Sequence, residues 1–310
     1  MRIGIIGTGA MGSLFAAHLA PHAHVNVLGT WREGVEALKA HGVVLEQDGK
    51  IKRVPVQAST NPHEVAPVDL ALIAVKAHQT ERAAEWANLI LKPRAVALTL
   101  QNGLGNLEIL AAHVGENRAA MGVTMQGATL LGPGHVRHAG RGLTTLAATP
   151  ATRARLQNVV GLFNRAGIET QLAEDVQSLM WGKLVVNSAI NALTAIYRVP
   201  NGWLVENSEA RALMTAAAQE TANVASALGI RLPYPDAGAH AIQVAQATAS
   251  NKSSTLQDVL RGAPTELDRI NGAVVREGKR LGIPTPINER LLRVLQNPRF
   301  SQRAVLTPVQ

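Results

Sequence analysis

Lys183, Asn187 and Asn191 stand at i, i+4 and i+8 within the run Trp181–Asn191. A helix through this run puts all three on one face, stacked over about three turns. Their neighbours are strongly apolar, Leu184, Val185, Val186, Ala189 and Ile190 among them. Polar groups in such company are costly unless something pairs with them. One amine and two amides at this spacing therefore point to a cleft that takes a polar ligand. The competing account is a solvated stripe on an amphipathic helix, which would carry more charge and less Asn, a mediocre helix former. An amine set in this way suits reduction of a carbonyl. Hydride attack leaves negative charge on oxygen, and an ammonium both stabilises that charge and supplies the proton. Burial would lower its pKa toward the working range.

A second constellation lies at the N-terminus. Gly7-Thr8-Gly9-Ala10-Met11-Gly12 fits G-x-G-x-x-G, directly after an apolar strand-like run and at the start of a helical one. In that context the pattern is a dinucleotide loop. Gly7 permits the tight turn, Gly9 the approach of backbone to pyrophosphate, and Gly12 the close packing of helix on strand. The helix N-terminus faces the phosphate charge. At the end of the next expected strand, Gly29-Thr30-Trp31-Arg32 contains no acid to bind a ribose 2′-hydroxyl; the first is Glu33. Thr30 and Arg32 could hold a 2′-phosphate instead, Arg32 through its fork of donors. The reading is NADP (NADPH) rather than NAD.

These residues need two kinds of scaffold. The first half alternates strand-like runs (Arg2–Ile6, His24–Leu28, Asp69–Val75, Ala95–Leu100, Gly122–Thr124, Thr170–Leu172) with helices at Gly12–Ala20, Val35–His41 and Thr152–Ala166. Runs without polar alternation, such as 68–75, suit a parallel sheet covered on both faces. Glycine turns within 130–148 suggest antiparallel pairing there. From about Asp175 the pattern is helical: Asp175–Tyr197, ended by the turn Val199–Gly202; Ser208–Leu228, with Ser208 as N-cap and Gly229 as C′ residue; Ala237–Thr248; a helix from about Ser254; Thr265–Leu281; and Ile287–Leu295. The expected architecture is an α/β Rossmann-type N-terminal domain over residues 1–172 and an all-α C-terminal domain over 173–310.

Composition removes other classes. The chain of 310 residues contains no cysteine, which excludes disulfides, thiolate metal sites and a catalytic thiol. Its net charge of +8 is scattered and aromatics are only 3%, so a bias toward small anions, or simply a solvated surface, is the better account than nucleic-acid binding. No metal is expected. His18 and His22 lack a carboxylate to complete a triad, and His135 and His138 read as solvated turn residues. Ser188 has no triad context. The N-terminal apolar run is too short for a signal segment. No apolar run approaches a membrane span, and the helix at 184–195 is broken by Asn187, Ser188 and Asn191. The expected location is cytoplasmic. The sequence leaves oligomeric state open, a homodimer included.

The full set of motifs resembles the ketopantoate reductases: GTGAMG, AVKAHQT, LQNGLGN, WGKLVVNSAINALTAIYRVPNG, SNKSSTLQD and GAPTELDRINGAVVREG. The resemblance spans essentially the whole chain, and the Lys–Asn stretch and TELDRING are its specific parts. It implies a Rossmann domain that binds NADPH, a C-terminal domain like that of 6-phosphogluconate dehydrogenase, and reduction of 2-dehydropantoate to (R)-pantoate in pantothenate biosynthesis. It further implies Lys183 as general acid, with Asn187, Asn191 and Asn201 lining the substrate site. Asn251 and Ser254 would hold the substrate's carboxylate or hydroxyl. Glu266, which alone reads as a first-turn helix acid, would bond substrate or nicotinamide ribose. Lys76, Asn102 and Ala128 would contact the cofactor, Asn102 near the substrate too. One departure is that many relatives carry a basic residue where this chain has Thr30 and Trp31. Two alternatives stand beside this reading: a reductase of another small 2-keto acid, and a dinucleotide-binding sensor without catalysis.

Overall fold

The computed structural model describes residues 1–297. The described residues divide into two compact units, one of residues 1–101 and 105–176, the other of residues 102–104 and 177–297. The change falls four residues after the boundary expected from sequence, because strand pairing continues through Ala173.

The first unit runs β1 (Arg2–Ile6), α1 (Ala10–Leu19), β2 (His24–Leu28), α2 (Arg32–His41), β3 (Val43–Gln47), β4 (Lys50–Val54), β5 (Gln57–Ser59), β6 (Val68–Ile73), α3 (Thr80–Ile90), β7 (Leu91–Thr99), α4 (Asn106–Val114), β8 (Ala119–Thr124), β9 (Gly127–Gly132), β10 (His135–Gly140), β11 (Thr144–Ala147), α5 (Arg153–Arg165) and β12 (Thr170–Ala173). Its main sheet has eight strands in the order β12-β11-β8-β7-β6-β1-β2-β5. Pairing is parallel from β5 through β8, and β11 turns antiparallel to β8. Alternate residues of the central strands feed two separate cores. Ile3, Ile5, Leu70, Leu72, Val96 and Leu98 pack on one face, and Ile6, Ala71, Ile73, Ala95 and Ala97 on the other. That double burial is why these strands read as unbroken apolar runs.

A second sheet, ordered β4-β3-β10-β9, was not expected in this form. The β3–β4 hairpin turns on Asp48 and Gly49, both at positive φ (51° and 71°), as a two-residue type I′ turn requires. Val43, Leu45 and Val136 of this sheet join Leu14 and Phe15 of α1 in one core. The packing corrects the expectation of solvated histidines. His138 is partly buried, its Nε2 bonded to Gln126 Oε1 at 2.8 Å and its ring edge-on to His18 at 5.2 Å. His135 pairs with Glu46 at 3.0 Å. Burial lowers the pKa of both His18 and His138. His22 lies beyond the end of α1, so it shares no helix with His18.

The second unit is helical: α6 (Gln177–Tyr197), α7 (Trp203–Glu206), α8 (Ser208–Ala227), α9 (Ala237–Ala247), α10 (Ser254–Leu260), α11 (Asn271–Leu281) and α12 (Pro286–Gln296). Small residues such as Ala189, Ala192, Ala217, Ala218, Ala241 and Ala245 let α6, α8 and α9 approach closely in one core. By length and composition α6 could cross a membrane, but 67% of that stretch is buried within the protein. The cap of α8 is Asn207, not Ser208: its side chain accepts from the Ala210 N–H at 2.9 Å. Gly229 follows the C-cap of α8 at φ +74°, as expected of a C′ residue. The helix expected from Thr265 begins only at Asn271.

Candidate active site

The glycine loop follows β1 at the point where the chain leaves to β2 on one side and returns to β6 on the other. Such a switch point opens a crevice at the carboxyl ends of the strands. Gly7, at φ +131°, lies so close to the end of β6 that a Cβ there would sit 2.5 Å from the Ala74 carbonyl oxygen. A Cβ on Gly12 would fall 1.9 Å from Gly7 O, so α1 packs directly on the loop. A Cβ on Gly9 would meet nothing within 4 Å. Gly9 is also the N-cap of α1, which has no side-chain cap and no acid in its first turn. An uncapped helix N-terminus behind open backbone suits an anionic group. Thr8 is buried against Gly29.

Thr30 and Arg32 are exposed at the end of β2, with Arg32 opening α2. Trp31 between them donates from Nε1 to Glu33 Oε2 at 3.0 Å, and its ring covers Gly34. Glu33, the nearest acid, is thus engaged by the indole. Lys76 stands at the N-cap position of a short 3-10 turn after β6, its side chain making no capping bond. Gln101, which sequence reasoning missed, donates to Val75 O at 3.0 Å and to Thr80 Oγ1 at 2.9 Å, and Thr80 donates to Asn106 Oδ1 at 3.0 Å. This network fixes the loops after β6 and β7 on either side of Lys76. Ala128 lies in β9, paired with His138.

Asn102 belongs to the helical unit. The Leu104 N–H donates to Arg269 O at 3.1 Å, and a Cβ on Gly103 would sit 2.3 Å from the same oxygen. Lys183, Asn187 and Asn191 all lie on α6 as their spacing predicts. Asn187 and Lys183 are partly exposed, and Asn191 is buried. Desolvation lowers the Lys183 ammonium to about 8, while the charge of Glu266 acts to raise it. Glu266 is only 8% exposed. It stands in the turn before α11, where its carbonyl accepts from Arg269 N at 2.9 Å and Ile270 N at 3.1 Å. First-turn capping therefore does not account for it.

The remaining expected residues gather where α6 meets α10. Asn191 Nδ2 is 3.5 Å from Ser254 Oγ. Asn201 donates from Nδ2 to Thr248 Oγ1 at 2.9 Å, and its backbone N–H donates to Asn251 O at 3.0 Å. Its Oδ1 is buried with no protein partner. Asn251 itself is exposed. The side chain of Ser253, also missed, caps α10; a serine ahead of an apolar helical run was the available signal. Tyr234 donates to Gly182 O at 2.8 Å, bracing the backbone beside Lys183. Among the described residues no group of three His, Asp or Glu side chains is arranged to hold a metal.

The family described as "Ketopantoate reductase PanE/ApbA" matches residues 3–151, and its C-terminal counterpart matches residues 175–299. The chain belongs to the ketopantoate reductase family. It is 37% identical to a 2-dehydropantoate 2-reductase of Halobacterium salinarum over 290 residues, 93% of this chain and 95% of that one. A 2-dehydropantoate 2-reductase of Vibrio cholerae is 34% identical, over 94% of this chain and 95% of that one. The crystal structure of a PanE/ApbA family ketopantoate reductase from Ralstonia eutropha superposes with a TM-score of 0.88 at 34% identity, covering 98% of this chain and 100% of that one. A D-mandelate dehydrogenase with NADH and anilino(oxo)acetate gives a TM-score of 0.91 at 28% identity, covering 99% and 100%. Membership makes this chain an oxidoreductase of the family's type, and its glycine loop fits a nicotinamide dinucleotide.

Proposed function

We propose that this protein reduces 2-dehydropantoate to (R)-pantoate with NADPH, and that Lys183 is the proton donor. The observation that carries the reading is the row of Lys183, Asn187 and Asn191 on one face of α6, with Asn191 against Ser254 and the Lys183 ammonium lowered to about 8 by desolvation while the Glu266 charge acts to raise it. When bound, the dinucleotide supplies hydride. Gly7–Gly12 cradle its pyrophosphate, Lys76, Asn102 and Ala128 contact it, and Thr30 and Arg32 take the 2′-phosphate. The engagement of Glu33 by Trp31 supports this preference, because it holds the nearby acid away from a ribose hydroxyl. As charge develops on the substrate's C2 oxygen, Lys183 stabilises it and then gives up its proton. Glu266 keeps the ammonium charged and bonds the reacting hydroxyl or the ribose. Asn102, Asn187, Asn191, Asn201, Asn251 and Ser254 hold the substrate's carboxylate and hydroxyl. We place the enzyme in the cytoplasm.

Lys183→Ala should lose about 10²–10⁴-fold in kcat, with far-UV circular dichroism unchanged. Turnover near that of the unaltered protein at saturating substrate and neutral pH would remove Lys183 from this role. A second reading, another 2-keto acid as substrate, is favoured by the likeness to D-mandelate dehydrogenase. Comparing kcat/KM for ketopantoate, 2-oxoisovalerate and benzoylformate separates the two.

A further inference from the structure

Two buried hydroxyls join α6 to the start of α10 one turn beyond Asn191. Thr194 is 0% exposed and Ser253 8%, and their hydroxyl oxygens are 2.7 Å apart. One assignment of the two protons satisfies every group. Ser253 Oγ accepts from Leu256 N–H at 3.1 Å, as the cap of α10, which leaves its own proton for Thr194. Thr194 Oγ1 then donates to the backbone carbonyls of Ile190 and Asn191, each at 3.0 Å. Every donor in this chain has an acceptor, so the joint is satisfied without water. Ser254, the residue after the cap, and Asn191, whose carbonyl closes the chain, are the two that meet at 3.5 Å.

We propose that Thr194 and Ser253 are positioning residues whose hydroxyl pair sets the spacing between Asn191 Nδ2 and Ser254 Oγ, so that both can grip one carboxylate of the keto acid. The inference rests on the assignment of Asn191 and Ser254 to substrate in the reading above. The contact of 3.5 Å is at the outer limit of a hydrogen bond. A carboxylate oxygen accepting from both groups would replace it with two charge-assisted bonds. Without the buried joint, α10 can shift by a fraction of an ångström relative to α6, and one of those two bonds is lost.

The test uses Thr194→Val, which keeps the shape and removes the hydroxyl, and Thr194→Ser, which restores it. Thr194→Val should raise KM for ketopantoate by about tenfold, the scale of one hydrogen bond. Its kcat, its KM for NADPH and the pH dependence of kcat should stay those of the unaltered protein, and Thr194→Ser should bring KM back. A lowered melting temperature in Thr194→Val with unchanged KM would make the joint purely structural and overturn the proposal. So would a KM shift that Thr194→Ser does not reverse. If the unaltered protein shows no ketopantoate-dependent oxidation of NADPH, it is the substrate assignment that falls; the same variants are then read against the 2-keto acid that is turned over.

Discussion

A lysine able to act as an acid near neutral pH must be partly withdrawn from water yet feel an opposite charge, and Lys183 is half-buried and feels the charge of Glu266. Its ammonium, at about 8, is lowered by desolvation and supported by Glu266. With Lys183 as the proposed proton donor, the acid form is the one reduction requires, so kcat with NADPH should be level below pH 8 and fall above it as the ammonium deprotonates. Oxidation of pantoate needs the free amine and should show the opposite limb. A kcat for reduction that rises through pH 8–9 would contradict the assignment. The glycine loop yields a second prediction at this scale. Gly9→Ala adds a methyl to open space and should leave stability within about 0.5 kcal/mol, while raising KM for the dinucleotide by about tenfold or more. Gly12→Ala drives a Cβ to 1.9 Å from Gly7 O and should cost about 2–4 kcal/mol of stability. Chemical denaturation and cofactor titration of the two variants distinguish a binding role from a packing role. The three glycines were legible in sequence because each has its own steric reason. The common helix of Lys183, Asn187 and Asn191 was legible because their spacing of four matches a helical row. Glu266 was not, since nothing in its spacing separates it from a helix-opening acid; only the late start of α11 does so.

Elements were most legible where burial made their pattern extreme. Apart from Arg2 and Asp69, strands β1 and β6 are apolar because both faces are covered, and their positions followed from that. The hairpin of β3 and β4 was missed because its outer strand, Lys50–Val54, is almost wholly exposed and carries no core signal. Helix α11 starts later than its sequence suggests because Thr265–Ile270 has helical composition, yet Leu267–Ile270 form a turn. The cause lies in what anchors the true start. Asn271, fully buried, donates from Nδ2 to Ser188 O at 3.0 Å and to Asn288 Oδ1 at 2.9 Å, tying α11 to α6 and α12. Asn288 in turn donates to Glu220, which also accepts from the backbone N–H groups of Ile287 and Asn288 at the head of α12. Asn271→Ala should therefore destabilise the protein by about 2–3 kcal/mol, since it leaves buried acceptors unpaired. Urea denaturation measures this, and a loss under about 0.5 kcal/mol would mean that the joint is not holding the helices.

For the whole molecule, the informative quantity is charge. The formal net charge is +8, and both expected ligands, a 2-keto carboxylate and a phosphorylated dinucleotide, are anions. Several arginines are already neutralised locally: Arg137 by Glu46, Arg276 by Asp268 and Arg280 by Glu277. Such exposed pairs contribute little to stability, but they leave the overall excess intact. A net positive field raises the encounter rate of anions and is screened by salt, with a Debye length of about 30 Å at 0.01 M and about 8 Å at 0.15 M. Second-order kcat/KM values for NADPH and for the keto acid should thus fall severalfold across that range of ionic strength, with kcat nearly constant. NADPH, the more highly charged ligand, should fall more steeply. With Arg32 at the 2′-phosphate as proposed, Arg32→Ala should flatten the salt dependence for NADPH while leaving that for the keto acid unchanged. Equal slopes for both ligands in Arg32→Ala and in the unaltered protein would show that the basic excess is a solvated surface and that Arg32 takes no part in holding the cofactor.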